Sequence, residues 1–391
     1  MAIETVVGSE KKQALEEIAP GTSVTLDLRD PEAAAGQIVR LALTRPLAAV
    51  IPTDDDTAVV AAIASARLGL PHNPPEAAVA ARRKDLLRER LRAAGVKTPR
   101  YRVTTIVSDP EPGAYDQPYP CVLKPTFLSA SRGVIRANDP DEFVLAYRRI
   151  ATLLRKPDVA ERGGEAARQI LVEEFVPGQE VALEGLLLGG RLKTLAIFDK
   201  PDPLDGPFFE ETIYVTPSRH APEAQRAVVE TTAAAAVAIG LREGPIHAEL
   251  RLNEEGPWVI ELAARSIGGL CSRVLSFGTG LSLEDLILMH ALGRDVEPLE
   301  RERSPAGVMM IPILRAGILR EVRGLDRARD VPGIVDVTIS AATGQPLVPL
   351  PEGSSYLGFI FARGASPAEA EAALREAHRR LAFVIEPEAR R

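Results

Sequence analysis

The chain has 391 residues, 46% apolar and 26% charged, with a formal net charge of −7. That length predicts two to four domains with a sizeable core, and the acidic balance argues against nucleic acid or an anionic membrane as the main partner. No apolar run approaches the roughly 20 residues that span a bilayer, and the N-terminus MAIETVVGSEKKQ lacks the pattern of a secretory signal.

Two distant cysteines, Cys121 and Cys271, make neither a disulfide framework nor a metal motif. The expectation is a cytoplasmic enzyme or binding protein. Of the 47 basic residues only eight are lysine, so each lysine placed in a motif is informative.

Residues 1–75 show α/β patterning. SVTLDL (23–28) and LAAVIPT (47–53) read as strands, and TAVVAAIASARLG (57–69) as a helix capped by the Asp54–Asp56 run. The three aspartates are read as caps in preference to catalysts. Residues 76–98 read as one helix ending at Gly95, and 119–143 as strand, loop, strand, with Lys124 closing the first strand. Residues 165–200 pass from helix to strand, break at Pro177-Gly178 and turn back at Gly189-Gly190. An Ala-rich helix follows at 221–241, then a hairpin at 247–269 and a helix at 281–295. From about 300 the texture changes to strands and a helix at 366–381 capped by Ser366, read as a separate, smaller α/β unit.

The hairpin HAELRLNEEGPWVIELAARSIGG poses a chemical question. If Leu252 and Trp258 close the turn, Leu250 faces Ile260, Ala248 faces Leu262, and Glu249 faces Glu261. Two carboxylates opposed in a ladder repel. A divalent cation between them would relieve this, and Mg²⁺ favours carboxylates together with substrate phosphates. The alternative is a solvated polar face. His247 and Arg265 share that face if the strand persists, and the following Ser-Ile-Gly-Gly lets backbone approach a ligand.

Lys84, Lys124 and the small-residue loop SASRGV (129–134) fit phosphates, with Ser129, Ser131 and Gly133 in the loop. LVEEFVPGQE (171–180) offers an extended edge for an adenine and, in Glu180, an acid for ribose hydroxyls; the plain alternative is a strand and a surface charge. There is no GxxxxGK[ST] loop and no GxGxxG after the first strand, which disfavours Walker-type and dinucleotide enzymes.

In this order RRKDLLRERLRAAGVKTPRY, CVLKPTFLSASRGV, ILVEEFVPGQEVALEG and the hairpin resemble the ATP-grasp superfamily of carboxylate ligases. ELAARSIGG and the tail from AGVMMIPIL to YLGFIFARG look most like its L-amino acid ligase branch. The resemblance implies an α/β (α+β) ATP-grasp fold. A shortened N-terminal unit would span 1–98, a small lobe 99–180, a large lobe 181–300 and a C-terminal domain 303–391. It implies ATP and Mg²⁺ (or Mn²⁺) as cofactors, as two ions held by Glu249 and Glu261. Lys84 and Lys124 would bind phosphates, Glu173, Phe175 and Val176 the adenine at the hinge, and Glu180 the ribose. Arg265 and Lys124 would be the catalytic cations.

Ala263 stands where many members of the superfamily have Asn, so the second ion is expected to have fewer protein ligands. The segment 198–218, with Phe208, Phe209, Glu210 and Glu211, is expected to border a substrate pocket; ordinary hairpin packing is the alternative. The implied activity is ligation of a carboxylate, an amino acid by preference, to an amine through an acyl phosphate. A thiol, formyl or carboxy-type substrate, or a non-catalytic ATP-binding module, stays open. The expected partners are small molecules and, by base rate, a second copy of the chain.

Overall fold

The computed structural model describes residues 3–11, 19, 21–278, 280–297 and 300–387. Near the N-terminus, strands β1 (Val7–Ser9) and β2 (Ser23–Thr25) pair in parallel. Helices α1 (Pro31–Ala42) and α2 (Asp55–Leu68) meet through Ala34, Ile38, Val60 and Ala64. Residues 47–53 do not form the expected strand: Pro46 and Pro52 offer no N–H, and the segment finds no ladder partner. Asp54 caps α2 through a reciprocal capping box with Thr57.

The single helix expected over 76–98 is two, α3 (Pro75–Arg82) and α4 (Lys84–Ala93). Arg83 is extended between them, at φ −94° and ψ 104°, and the Lys84 N–H donates to the Thr126 carbonyl at 2.8 Å. A tertiary hydrogen bond thus breaks a helix whose residues all suit one, and it puts Lys84 at the start of α4.

The small lobe is an antiparallel sheet of β3 (Tyr101–Thr105), β4 (Cys121–Pro125), β5 (Ile135–Ala137) and β6 (Gln169–Glu174), in the order β3-β6-β4-β5. Helix α5 (Pro140–Leu154) covers it, burying Phe143, Ile150 and Leu154 against Leu123 and Ile170.

The large sheet continues with β7 (Gln179–Leu188), β8 (Arg191–Asp199) and β9 (Ile213–Thr216). Helix α6 (Pro222–Ile239) leads into the hairpin β10 (Gly244–Asn253) and β11 (Gly256–Ala263). Helix α7 (Leu283–Ala291) follows. The C-terminal segment holds β12 (Ala306–Ile311), β13 (Gly317–Arg323), β14 (Ile334–Ile339), β15 (Pro346–Leu347), β16 (Gly358–Arg363), α8 (Pro367–Arg379) and β17 (Ala382–Glu386).

The large sheet has the order β11-β10-β7-β8-β9-β12-β16-β14, and β13, β15 and β17 form a small second one. Because β9 hydrogen-bonds β12, the 303–391 segment shares its main sheet with the preceding lobe. The boundary near 300 is therefore one of sequence texture and not of hydrogen bonding. Helices α3, α4 and α6 cover one face, where Leu87, Leu91 and Ile239 meet Leu183, Ile246 and Leu250. Residues of α7 and the C-terminal segment cover the other, around Phe198, Phe277 and Val308.

In the hairpin, Glu249 faces Glu261 and Ala248 faces Leu262, as expected. Nearer the turn the expected register fails. Leu250 pairs with Val259 and Asn253 with Gly256, which leaves Ile260 as a bulge and Glu254-Glu255 as a two-residue turn. The bulge buries Leu250 and Val259 and frees the Ile260 carbonyl to accept from Arg88 at 2.6 Å. The strand ends at Ala263, so Arg265 reaches its place through the loop that follows.

Candidate active site

A cavity of about 580 Å³ is lined by the small lobe, the large sheet, the 53–55 turn and the C-terminal segment. Every residue expected to bind nucleotide or metal or to act in catalysis lines it except Gly133; of the residues expected to border a substrate pocket, Phe209 and Glu211 line it and Phe208 and Glu210 do not. Gly133 has φ +77°, a Cβ on it would lie 2.7 Å from Pro125, and its N–H donates to the Pro351 carbonyl at 2.8 Å. Its N–H is spent on protein, so glycine is needed there for the turn and not for closing over phosphate.

Glu173 departs from its expected role in a similar way. Its backbone pairs with both Tyr101 and Val122, and its carboxylate meets Arg88 at 2.7 Å and Lys124 at 2.6 Å. Burial opposes its charge, but Arg88 and Lys124 outweigh burial and hold its pKa below the usual range. Glu173 is thus the counterion of two buried cations. The free edge of the hinge is Val176, whose carbonyl accepts from Arg251 and whose N–H has no hydrogen bond among the described residues. Phe175 lies between the guanidinium groups of Arg136 and Arg251, at 4.2 and 4.9 Å from the ring centre.

Glu249 and Glu261 project from neighbouring strands into the cavity, and each side chain keeps some exposure, 16% and 23%. The structure corrects one part of the sequence reading: protein cations already offset their repulsion. Lys84 Nζ lies 3.3 Å from Glu261 and donates to the Leu128 carbonyl at 2.8 Å. Lys200 Nζ lies 2.9 Å from Glu249, 2.8 Å from Glu180 and in contact with Glu211. The three carboxylates have oxygens within 4.8 Å of one another. The buried Lys200 ammonium is the charge between them, and they raise its pKa well above the ordinary lysine value against the effect of burial. Glu211 is pushed up to about 7 by burial and by Glu249, with Lys200 opposing.

Behind Glu249 stands a second relay. His247 Nδ1 meets Glu184, and Nε2 lies 3.4 Å from Glu249. Burial alone would lower the His247 pKa, but Glu184 and then Glu249 raise it to about 9. The other Glu184 oxygen accepts from the Ile267 N–H at 3.1 Å, which anchors the loop after β11.

Arg265 forms a bidentate pair with Asp55, at 3.0 and 3.1 Å, from the first turn of α2. Burial opposes both charges, yet their attraction raises the Arg265 pKa and lowers that of Asp55. Asp55 was expected to cap the helix with Asp54 and Asp56, but only Asp54 does so: Asp55 pairs with Arg265 and Asp56 with Arg82 and Arg162. Asp55, Lys200 and Glu184 were not expected as site residues. Each had a signal: an Asp run longer than one cap needs, a lysine in a lysine-poor chain, and an acid inside the apolar strand EVALEGLLL.

One stretch of the lining is less polar: Tyr214, Ile267, Cys271, Met310, Tyr356 and Phe359 pack in one cluster and face the cavity, which Glu211 also lines. Both cysteines are free and buried, and burial pushes the Cys271 thiol up. Among the described residues no helix is long and apolar enough to cross a membrane.

An antiparallel small lobe and a large sheet that enclose a cavity lined by lysines and carboxylates define an ATP-grasp protein, and residues 117–274 match the ATP-grasp domain model. Residues 309–386 match the L-amino acid ligase C-terminal domain 2. The L-amino acid ligase structure from Bacillus licheniformis is similar, with a TM-score of 0.80 and 29% identity over 93% of this chain and 88% of that one. Alanine–anticapsin ligase of Bacillus subtilis strain 168 is 29% identical over 276 residues, 67% of this chain and 57% of that protein. Mouse carnosine synthase 1 is 30% identical over 231 residues, 56% of this chain and 27% of that protein. The chain thus spans little more than half of the first of these two relatives and about a quarter of the second. It carries an ATP-grasp domain followed by an L-amino acid ligase C-terminal domain.

Proposed function

We propose that the protein joins a carboxylate, an amino acid by preference, to an amine at the expense of ATP, releasing ADP and phosphate. One observation carries this reading. Lys84, Lys124, the Glu249/Glu261 pair and Arg265 share a single cavity with Glu211 and a less polar stretch of lining.

In this reading Lys84 and Lys124 bind the nucleotide phosphates, Val176 meets the adenine edge, and Phe175 borders it. Glu180, fixed by Lys200 and Arg251, faces the ribose. Ser129 and Ser131 flank the phosphates; Gly133 and Glu173 hold the frame. Glu249 and Glu261 are hard oxygen donors set side by side and partly open to the cavity, which suits Mg²⁺. They would hold it, and its charge would offset that of the phosphates.

A carboxylate is a poor electrophile because oxide is a poor leaving group. Moving the γ-phosphoryl group of ATP to it gives an acyl phosphate, which the amine attacks, and phosphate leaves. In this reading Arg265 stabilises the acyl phosphate and the tetrahedral intermediate, while the lysines and loop position the reactants. Glu211, in a less polar setting beside Tyr214 and Tyr356, is a partner for an amino-acid ammonium. The resemblance to known ligases supports the reaction class, and the lining supports amino-acid substrates.

The test is ADP and phosphate release with Mg²⁺-ATP and pooled L-amino acids, with mass spectrometry of the products and Glu261→Gln as control. Release that depends on amino acids, yields a peptide mass and is lost in the variant supports the proposal. Tight ATP binding without release in any pool overturns it.

A further inference from the structure

We propose that Glu352, from the C-terminal segment, is a positioning residue for the 126–134 loop, so that the amine end of the cavity and its phosphate end close as one. The inference rests on the ligase reading for what each end binds.

The first half of the loop is tied to the nucleotide side. The Thr126 carbonyl accepts from the Lys84 N–H, and the Leu128 carbonyl accepts from Lys84 Nζ, both at 2.8 Å. Its second half is tied to the C-terminal segment. The Gly133 N–H donates to the Pro351 carbonyl at 2.8 Å, and Arg132 Nε to the Glu352 carbonyl at 2.9 Å. Between these anchors Ala130 and Ser131 both have φ +54°, a left-handed conformation that L side chains adopt at a cost. Two such residues in succession persist only if their surroundings impose them. The anchors on either side supply that constraint.

The Glu352 side chain closes the arrangement. Its two oxygens accept from Arg149 Nε and Nη2 at 2.6 and 2.8 Å, so it grips α5, which covers the small-lobe sheet. The same guanidinium lies 5.1 Å from the Phe208 ring centre, in the segment that carries Glu211. Charge agrees with the pairing: the hydrogen bonds from Arg149 hold the Glu352 carboxyl below the usual range against the effect of burial. Two to four residues past Glu352, Ser354, Ser355 and Tyr356 line the cavity. A molecule seated against them orders the chain on which Glu352 sits, and Glu352 passes that order to Ser129–Ser131. Coupling of this kind is reciprocal: an amino acid that tightens nucleotide binding is itself bound more tightly with nucleotide present.

The experiment uses the full-length protein, a non-hydrolysable ATP analogue with Mg²⁺, a pool of L-amino acids, and trypsin, with mass spectrometry of the cut after Arg132. In the wild type, analogue and amino acids together slow this cut more than the analogue alone. Because the Arg149–Glu352 pair is partly exposed, Glu352→Ala and Arg149→Ala should each speed the cut about two- to fivefold and raise the KM for ATP by a similar factor. The increment due to amino acids should vanish, and the isosteric Glu352→Gln should behave in the same way. The double exchange Arg149→Glu with Glu352→Arg should restore wild-type behaviour. Cleavage unchanged in the single variants, or an exchange no better than they are, overturns the proposal. If the wild type makes no product while the variants still speed cleavage, the ligase reading falls and the clamp stands. If it makes product and cleavage is unchanged, the clamp alone falls.

Discussion

Removing Asp55 tests the link between the N-terminal unit and the chemistry. Asp55 and Arg265 are nearly buried, with side chains 15% and 14% exposed, and are joined by two contacts at 3.0 and 3.1 Å. Breaking such a pair from one side leaves an uncompensated charge and costs about 3–5 kcal/mol. Asp55→Ala should lose that much. Asp55→Asn should lose less, because its amide oxygen still accepts from one Arg265 N–H.

The freed guanidinium does not stay in place, since Glu261 and Glu184 also attract it. Drawn toward them, it no longer meets the developing charge of the intermediate. Turnover should then fall about 10²-fold, the scale of losing one oriented donor. The KM for ATP should change less, because Asp55 contacts no group assigned to the nucleotide. Urea unfolding and phosphate release, measured on both variants, check this. A folded Asp55→Ala protein with wild-type turnover would show that Arg265 is oriented without Asp55, and the assignment would be wrong.

Lys200→Met should leave Glu180, Glu211 and Glu249 mutually repelling and destabilise the metal-free protein by about 3–5 kcal/mol. Millimolar Mg²⁺ should recover part of this in thermal melting; a response no larger than that of the wild type counts against Lys200 as the charge that offsets these carboxylates. Glu261→Gln should weaken Mn²⁺ binding, followed by electron paramagnetic resonance, by at least the roughly 10–100-fold typical of losing a group that supports a metal ligand. Unchanged Mn²⁺ affinity would remove Glu261 from the metal site.

His247 has its folded pKa raised from 6.5 to about 9, so its stabilising contribution is complete below about pH 6.5 and disappears as pH rises through 9. At about 1.4 kcal/mol per unit this amounts to roughly 3 kcal/mol. Unfolding of metal-free protein should show a decline over that window that is flattened in His247→Asn, and equal slopes would contradict it.

The sequence carried most of what local period and spacing set; the strand expected over 47–53 is an exception. The Glu249–Glu261 pairing was expected from alternation about a turn and is found, although the turn is shorter than expected and the bulge at Ile260 restores the pair; the α2 cap came from Asp54, and the order of the lysine, loop, hinge and hairpin motifs from the chain itself. The α/β class was legible because strand and helix periods are local properties, and the ATP-grasp fold through the resemblance carried by four motifs in order.

What escaped depends on contacts between distant residues. One hydrogen bond from Lys84 to Thr126 split a helix that period alone makes continuous, and one bulge at Ile260 shifted a register that symmetry about the turn had set. The partners of charge were the least visible. Asp55 lies 210 residues from Arg265, and Lys200 meets carboxylates from three other segments. A buried charge must be neutralised by whatever the fold brings within a few ångströms, and no spacing in the sequence records that. Residue types and order along the chain announced the chemistry; tertiary packing alone chose which acid would orient the arginine and which lysine would lie among the carboxylates.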